Sequence, residues 1–343
     1  MGITSRRADH MVTYQLTLSQ TIANFIHYKE AVGRSEHTIA DYRNTQKKLL
    51  EFFADDPSFA TITRTQLINF FAWLTKEYVS DPDGVAPRGK KPLSPKTIFN
   101  IHTNCASLWA WACDEEIVER NLMRTIEPPD YEPPVIVEFT RDEIAALLKA
   151  CDVTRHWRTR NTIASHRPTA DQDRAIILTL IDTGIRAEEL CNLTMADLNM
   201  GMNALTVRGK GAGRDKKERL VYFGKTCGKA LYKYLMPRLG QPSKDNSALF
   251  LNSKAVVDRP LNRDSLYRLL QEISTRAGVK DVHPHRFRHS FAITYLRNGG
   301  DVFTLQQMLG HSDIEMVKRY AQIAQSDCAN VHRKASPADN WRL

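Results

Sequence analysis

The sequence predicts two domains: an all-α four-helix domain, then a mixed α/β, mainly helical domain with a small antiparallel sheet. Three observations carry this. Residues 12 to 116 repeat apolar positions at helical spacing behind capping patterns. The segment Glu127-Pro-Pro-Asp-Tyr-Glu-Pro-Pro134 puts four prolines in seven residues, which no helix continues through. Beyond it, two short β-rich runs flank the Gly/Lys-rich stretch GKGAGRDKKE. A chain of 343 residues is also too long for one small core.

The first helix opens at a capping box, Thr17-Leu-Ser-Gln20, and puts Leu18, Ile22, Phe25 and Ile26 on one side. A second follows Ser35 with Ile39, Tyr42, Leu49 and Phe53. A third starts at the box Thr63-Arg-Thr-Gln66 and carries Leu67, Phe70, Phe71 and Leu74. After a polar loop from Ser80 to Lys91, Ser94-Pro95 starts the fourth, with proline at the first helical position and Ile98, Ile101, Cys105 and Leu108 behind it. Four such stripes bury one another only as a bundle. The boundaries read as 12–126 for this domain, 127–137 for the proline linker, 138–322 for the second domain and 323–343 for a tail whose Ile323, Ala324, Cys328 and Val331 form a short apolar face.

The second domain opens at the box Thr140-Arg-Asp-Glu143. A basic, aperiodic excursion spans Asp152 to Gln172, and an apolar helix resumes at Ala175 to Ile181, ending at Thr183-Gly184. The runs Ala204–Val207 and Arg219–Phe223 read as a hairpin. A helix at Lys225–Leu239, a short strand at Ala248–Leu251, a helix at Asn262–Ala277 and short amphipathic helices from His283 onward complete it.

The formal charge of +9 points to a polyanionic partner, and no apolar run approaches the ~20 residues that span a bilayer. The six cysteines are scattered without a C-x-x-C pair, the pattern of reduced thiols in a cytoplasmic protein. MGITSRRADHM lacks a signal-peptide core, and residues 1 to 11 are set aside from the fold.

Six positions carry chemistry. Arg186 follows Gly184 at a helix-to-helix junction, with Glu189 three residues on to brace its guanidinium; taken alone, a surface Arg–Glu pair reads the same way. Lys210 stands between glycines that let backbone approach a phosphate, with Lys216 and Lys217 as neighbours able to replace it. His285 and Arg288 share one face of a helix begun at Pro284. A zinc site from His283, His285 and His289 lacks a completing ligand, so no metal is expected. His311 ends a helix in Leu309-Gly-His-Ser312, and Tyr320 lies nine residues beyond it. Together these are the groups that phosphoryl transfer to a tyrosine requires: cations on the non-bridging oxygens, an acid for the leaving oxygen and a nucleophile.

The series TGIRAEEL, RGKG, H-x-x-R-H from His285 to His289, LGHS and Tyr320 resembles the tyrosine recombinase, or phage integrase, family across about Thr140 to Tyr320. The four-helix region looks, more loosely, like that family's SAM-like core-binding domain. The resemblance implies that Tyr320 attacks a scissile DNA phosphate to give a 3′-phosphotyrosyl link. Arg186 and Arg288 then bind the non-bridging oxygens, Lys210 protonates the 5′-oxygen, His285 assists the tyrosine's proton transfer and His311 donates to the phosphate. His283 and His289 are left with structural roles.

It also implies no cofactor, a specific double-stranded DNA site, a clamp of two domains around the duplex, and exchange through a Holliday junction by a homotetramer on two sites, monomeric or dimeric when free. The tail is then a subunit contact, and the protein is cytoplasmic, on the nucleoid when bound. Basic side chains expected on DNA are Arg88, Lys90, Lys91 and Lys96 of the first domain and Arg263 and Arg268 of the second. The alternatives are relaxation of DNA in the manner of a type IB topoisomerase and a DNA-binding accessory protein without catalysis.

Overall fold

The computed structural model describes residues 16–79, 92–132, 135–152, 167–209, 218–238, 247–252, 259–310, 319–323, 332 and 336–341. The chain divides into two compact units, Met1–Pro134 and Val135–Leu343.

In the first unit, α1 (Leu18–Ala31), α2 (Glu36–Phe52), α3 (Arg64–Lys76) and α4 (Pro95–Asp114) start where their caps predict. Thr17 and Thr63 form reciprocal capping boxes with Gln20 and Gln66, and the side chains of Ser35 and Ser94 accept from the backbone three residues on. The four stripes meet in one core built on Phe25, Leu49, Leu67, Phe70, Leu108 and Trp109. The start of the proline segment packs on this unit: the Tyr131 ring lies edge-on to Phe99, and its hydroxyl accepts from Lys96 Nζ at 2.8 Å.

In the second unit, α6 (Ala170–Thr183) is central, packed by α5 (Arg141–Asp152), α8 (Lys225–Leu235) and α10 (Pro284–Arg297). Its Ala175, Ile176, Ile177 and Leu180 are fully buried. It starts at Ala170, five residues before the apolar pattern resumes, because its polar first turn is itself buried: Asp173 is paired with Arg167 at 2.6 Å. Gly184 ends it in the left-handed conformation, φ 61°, and α7 (Ala187–Cys191) follows.

The sheet has order β1-β2-β3, antiparallel throughout, from Leu198–Asn199, Ala204–Arg208 and Glu218–Tyr222. Its third strand is β1, not the predicted run at 248–251. That run makes only isolated bridges, Ala248 to Thr194 and Leu251 to Pro260, because the chain turns into a 3₁₀ helix at Met195–Asp197 before a ladder can extend. The β2/β3 register ends at Arg208 opposite Glu218, and Arg208 pairs with both Glu218 and Asp197, which fixes the stem of the hairpin. The α8 helix stops at Leu235 and tightens into a 3₁₀ turn containing Pro237. Then come α9 (Arg263–Ala277), α10, α11 (Val302–Leu309), a helical segment at 319–323 and a short helix at Pro337–Trp341. Among the described residues, no helix is long and apolar enough to cross a membrane.

Candidate active site

Four backbone corners converge: the α6/α7 junction, strand β3, the first half of α10 and the end of α11. Arg286 anchors α10. Its guanidinium bonds both oxygens of Glu143 at 2.9 Å and the carbonyl of Lys280 at 2.7 Å, and lies over the Phe139 ring. His283 caps the same helix, its Nδ1 accepting from the Arg286 backbone N–H. With α10 held at its N-terminus, Arg288 points into the domain and is 3% exposed. It donates from Nη1 to the Gly184 carbonyl (2.8 Å) and from Nη2 to the Leu309 carbonyl (2.7 Å), tying the end of α6 to the end of α11. These carbonyls are accessible because both helices end in left-handed glycines, Gly184 and Gly310.

Arg186 caps α7 and bonds Glu189 from Nη1 at 3.0 Å, while its own backbone N–H donates to the other Glu189 oxygen at 2.8 Å. Its side chain is 32% exposed against 5% for Glu189. Arg219 takes both Glu189 oxygens, Nη1 at 2.9 Å and Nη2 at 2.8 Å, and reaches the Met308 carbonyl from Nε at 2.7 Å. Burial pushes the Glu189 carboxyl up, but the bonds and charge of Arg219, then those of Arg186, outweigh it and hold the group below its ordinary value. Burial, then the neighbouring Arg186 charge, pulls Arg288 down to about 10, so it remains a cation at neutral pH.

Tyr320 is 1% exposed, packed in a cluster with Phe291, Leu296, Leu305 and Leu309. Its hydroxyl meets His289 Nδ1 at 2.8 Å. Burial raises the phenol's pKa, against the pull of Arg288, Arg319 and Arg186. His285, one turn earlier and exposed, lies 6.4 Å from His289 between ring centroids. Desolvation, then the charges of Arg288, His283 and Arg186, lowers its pKa.

The structure therefore brings Arg186, Glu189 and Arg288 together, with Tyr320 within the electrostatic reach of both arginines. Lys210 and His311 lie outside the described residues, as do Arg88, Lys90, Lys91, most of the basic excursion and the tail residues Ala324, Cys328 and Val331. Arg263 and Arg268 are exposed on α9, and the exposed Lys96 directs its ammonium at Tyr131 and Phe99. Two side chains here have partners that no local pattern of the sequence announces. His289, read as structural, contacts the tyrosine hydroxyl, and Arg219 was submerged in the basic run of the hairpin; its one local signal is a charge on a strand position whose neighbour Val221 is buried. Among the described residues, no three His, Cys, Asp or Glu side chains are placed to hold a metal ion.

Arginines gathered around Glu189, with a buried tyrosine in their field, are carried on a mainly helical unit that follows a helical bundle in the chain. Residues 138–327 match the phage integrase family and residues 17–127 the phage integrase SAM-like domain. The chain belongs to the phage integrase family. It is 28% identical over 312 residues to the tyrosine recombinase XerD of Listeria monocytogenes serovar 1/2a, covering 90% of this chain and 92% of the relative. To tyrosine recombinase XerC of Staphylococcus carnosus it is 29% identical over 231 residues, covering 66% and 70%. Among solved structures, the XerH recombinase bound to palindromic difH substrate in a post-cleavage complex aligns with TM-score 0.65 at 20% identity over 94% of this chain and 85% of that one. The Tn1549 transposon integrase in complex with a circular intermediate DNA aligns with TM-score 0.67 at 20% identity over 93% and 100%. Both share the fold.

Proposed function

We propose that this protein is a site-specific DNA recombinase that cuts and rejoins DNA through a 3′-phosphotyrosyl bond at Tyr320. The observation that carries the reading is the junction of Arg186 and Arg288 with a tyrosine in their field, assembled from segments more than 100 residues apart, in a family whose relatives include the XerD and XerC tyrosine recombinases.

In the cleavage step the phenol oxygen of Tyr320 bonds to phosphorus and the bond to the 5′-oxygen breaks. Arg186 and Arg288 take the charge that builds on the non-bridging oxygens, for which planar donor forks suit better than an ammonium. Lys210 supplies the proton to the 5′-oxygen and His311 a hydrogen bond to the phosphate. The tyrosine proton passes to His289, the histidine in contact with it, rather than directly to His285. At rest the low pKa of His289 and the raised pKa of the phenol keep that proton on oxygen. The charge of an arriving phosphodiester raises the histidine and favours transfer. The 5′-hydroxyl of a second strand reverses the step, so the bond energy is conserved without a cofactor.

The helical unit and the exposed arginines of α9 supply DNA contacts, a tetramer on two sites exchanges strands through a Holliday junction, and the protein works in the cytoplasm on the nucleoid. The test is to sequence DNA recovered covalently attached to the protein after denaturation. A recurrent sequence joined by its 3′-phosphate to Tyr320 is expected; absence of any adduct on supercoiled and linear genomic DNA overturns the reading. Adducts without a recurrent sequence, together with relaxation of supercoils, make the protein a topoisomerase instead.

A further inference from the structure

The proposed chemistry gives roles to two arginines of this junction and leaves Arg219 unused, although it makes three hydrogen bonds there. Glu189 is nearly inaccessible and faces the Arg219 guanidinium through both oxygens, while the Arg186 guanidinium reaches it from one nitrogen only. Arg219 is therefore the principal counter-ion, and the remaining donors of Arg186 have no other partner among the described residues. Three arginines and one glutamate leave the cluster with two positive charges. Without Arg219 the buried carboxylate would keep Arg186 as the one guanidinium hydrogen-bonded to it among the described residues, and would compete with a phosphate for it.

The second observation is steric. The Arg219 guanidinium lies against Gly310: a Cβ there would meet its Cζ, Nε and Nη1 at 3.1 Å. The same guanidinium holds the Met308 carbonyl while Arg288 holds that of Leu309. Successive carbonyls at the end of α11, immediately before Gly310 and His311, are thus gripped by two different arginines. Glycine at 310 serves both its left-handed backbone, φ 62°, and this close approach.

We propose that Arg219 is a positioning residue for strand cleavage: by neutralising Glu189 and holding the end of α11 it leaves Arg186 its charge and donors for the scissile phosphate. This rests on the recombinase reading. It makes a prediction of sign that a purely structural ion pair does not. Arg219→Met keeps aliphatic bulk over Gly310 but removes the charge, so the cluster falls to one positive charge. Adding Glu189→Gln removes the carboxylate that Arg219 neutralised and restores two, while the amide oxygen still accepts from the Arg186 backbone.

The experiment measures single-turnover adduct formation on nicked duplex oligonucleotides carrying the site recovered by adduct sequencing, with site affinity measured by anisotropy. Arg219→Met is expected to slow adduct formation about 100-fold with affinity within about threefold of wild type. Arg219→Met/Glu189→Gln is expected to be about tenfold faster than Arg219→Met. A double variant as slow as or slower than the single one, or an Arg219→Met variant at the wild-type rate, overturns the proposal. If Arg219→Met does not fold, Arg219→Lys replaces it. This variant keeps the charge and is expected within about tenfold of wild type, and a larger loss in the folded variant overturns the proposal. Failure of the wild type to form any adduct sinks the recombinase reading instead.

Discussion

His289 Nδ1 lies 2.8 Å from the Tyr320 hydroxyl oxygen, and that imidazole is pulled down to about 4 by desolvation, then by His285, His283 and Arg288. The ring is neutral at physiological pH and able to accept from the phenol. Because its folded pKa lies below the ordinary 6.5, its neutral form is the one the fold favours. The stability this supplies is present above pH 6.5 and lost as pH falls through about 4. In a ring-proton NMR titration one histidine is expected to titrate near pH 4, and His289→Gln removes that signal and flattens the fall in melting temperature over the same window. In adduct formation His289→Ala is expected to be slowed about 100-fold, more than His285→Ala; the reverse order returns the proton-accepting role to His285.

Tyr320→Phe removes one oxygen from a side chain that is 1% exposed and packed in a cluster with Phe291, Leu296, Leu305 and Leu309. The fold is expected to survive, with a change in unfolding free energy of about 1 kcal/mol for the lost hydrogen bond. Site binding is expected to persist with no covalent adduct on a nicked suicide substrate. An adduct in this variant would move the nucleophile to another residue.

Gly184 carries more of the site than its size suggests. Its φ of 61° belongs to the left-handed region, and an added Cβ would come within 2.4 Å of Phe291 Cδ1. Its carbonyl also receives Arg288 Nη1. Gly184→Ala is expected to cost about 2–4 kcal/mol, from backbone strain and overpacking together, in denaturant unfolding. Gly278→Ala is the control. That residue has a similar φ of 68° with nothing within 4 Å of the added Cβ, so only the strain of about 1–2 kcal/mol is expected.

What the sequence disclosed and what it hid divide along chain distance. Helix starts were legible because a cap is a contact over three residues, as at Thr17, Thr63 and Thr140. The Arg186–Glu189 brace was legible for the same reason. The second partner of Glu189 lies 30 residues away on β3, and the partner of Tyr320 is 31 residues back on α10, so no local pattern announces either. The start of α6 was obscured because Asp173 is buried against Arg167, where a polar residue in a first turn ordinarily reads as surface. The short strand β1 was missed because two residues show no alternation.

Lys210 carries the remaining prediction. The hairpin stem leading to it is fixed by Arg208, whose side chain pairs with Asp197 at 2.7 Å and Glu218 at 3.0 Å. An acid on the leaving oxygen matters only when that oxygen departs as a strong base. Lys210→Ala is therefore expected to form adduct on a normal 5′-oxygen about 100- to 1,000-fold more slowly than wild type, yet to approach the wild-type rate on a 5′-thiol, which leaves without a proton. Lys216→Ala and Lys217→Ala are expected to lose little on either substrate. If the thiol rescues one of these instead, the acid belongs to that lysine.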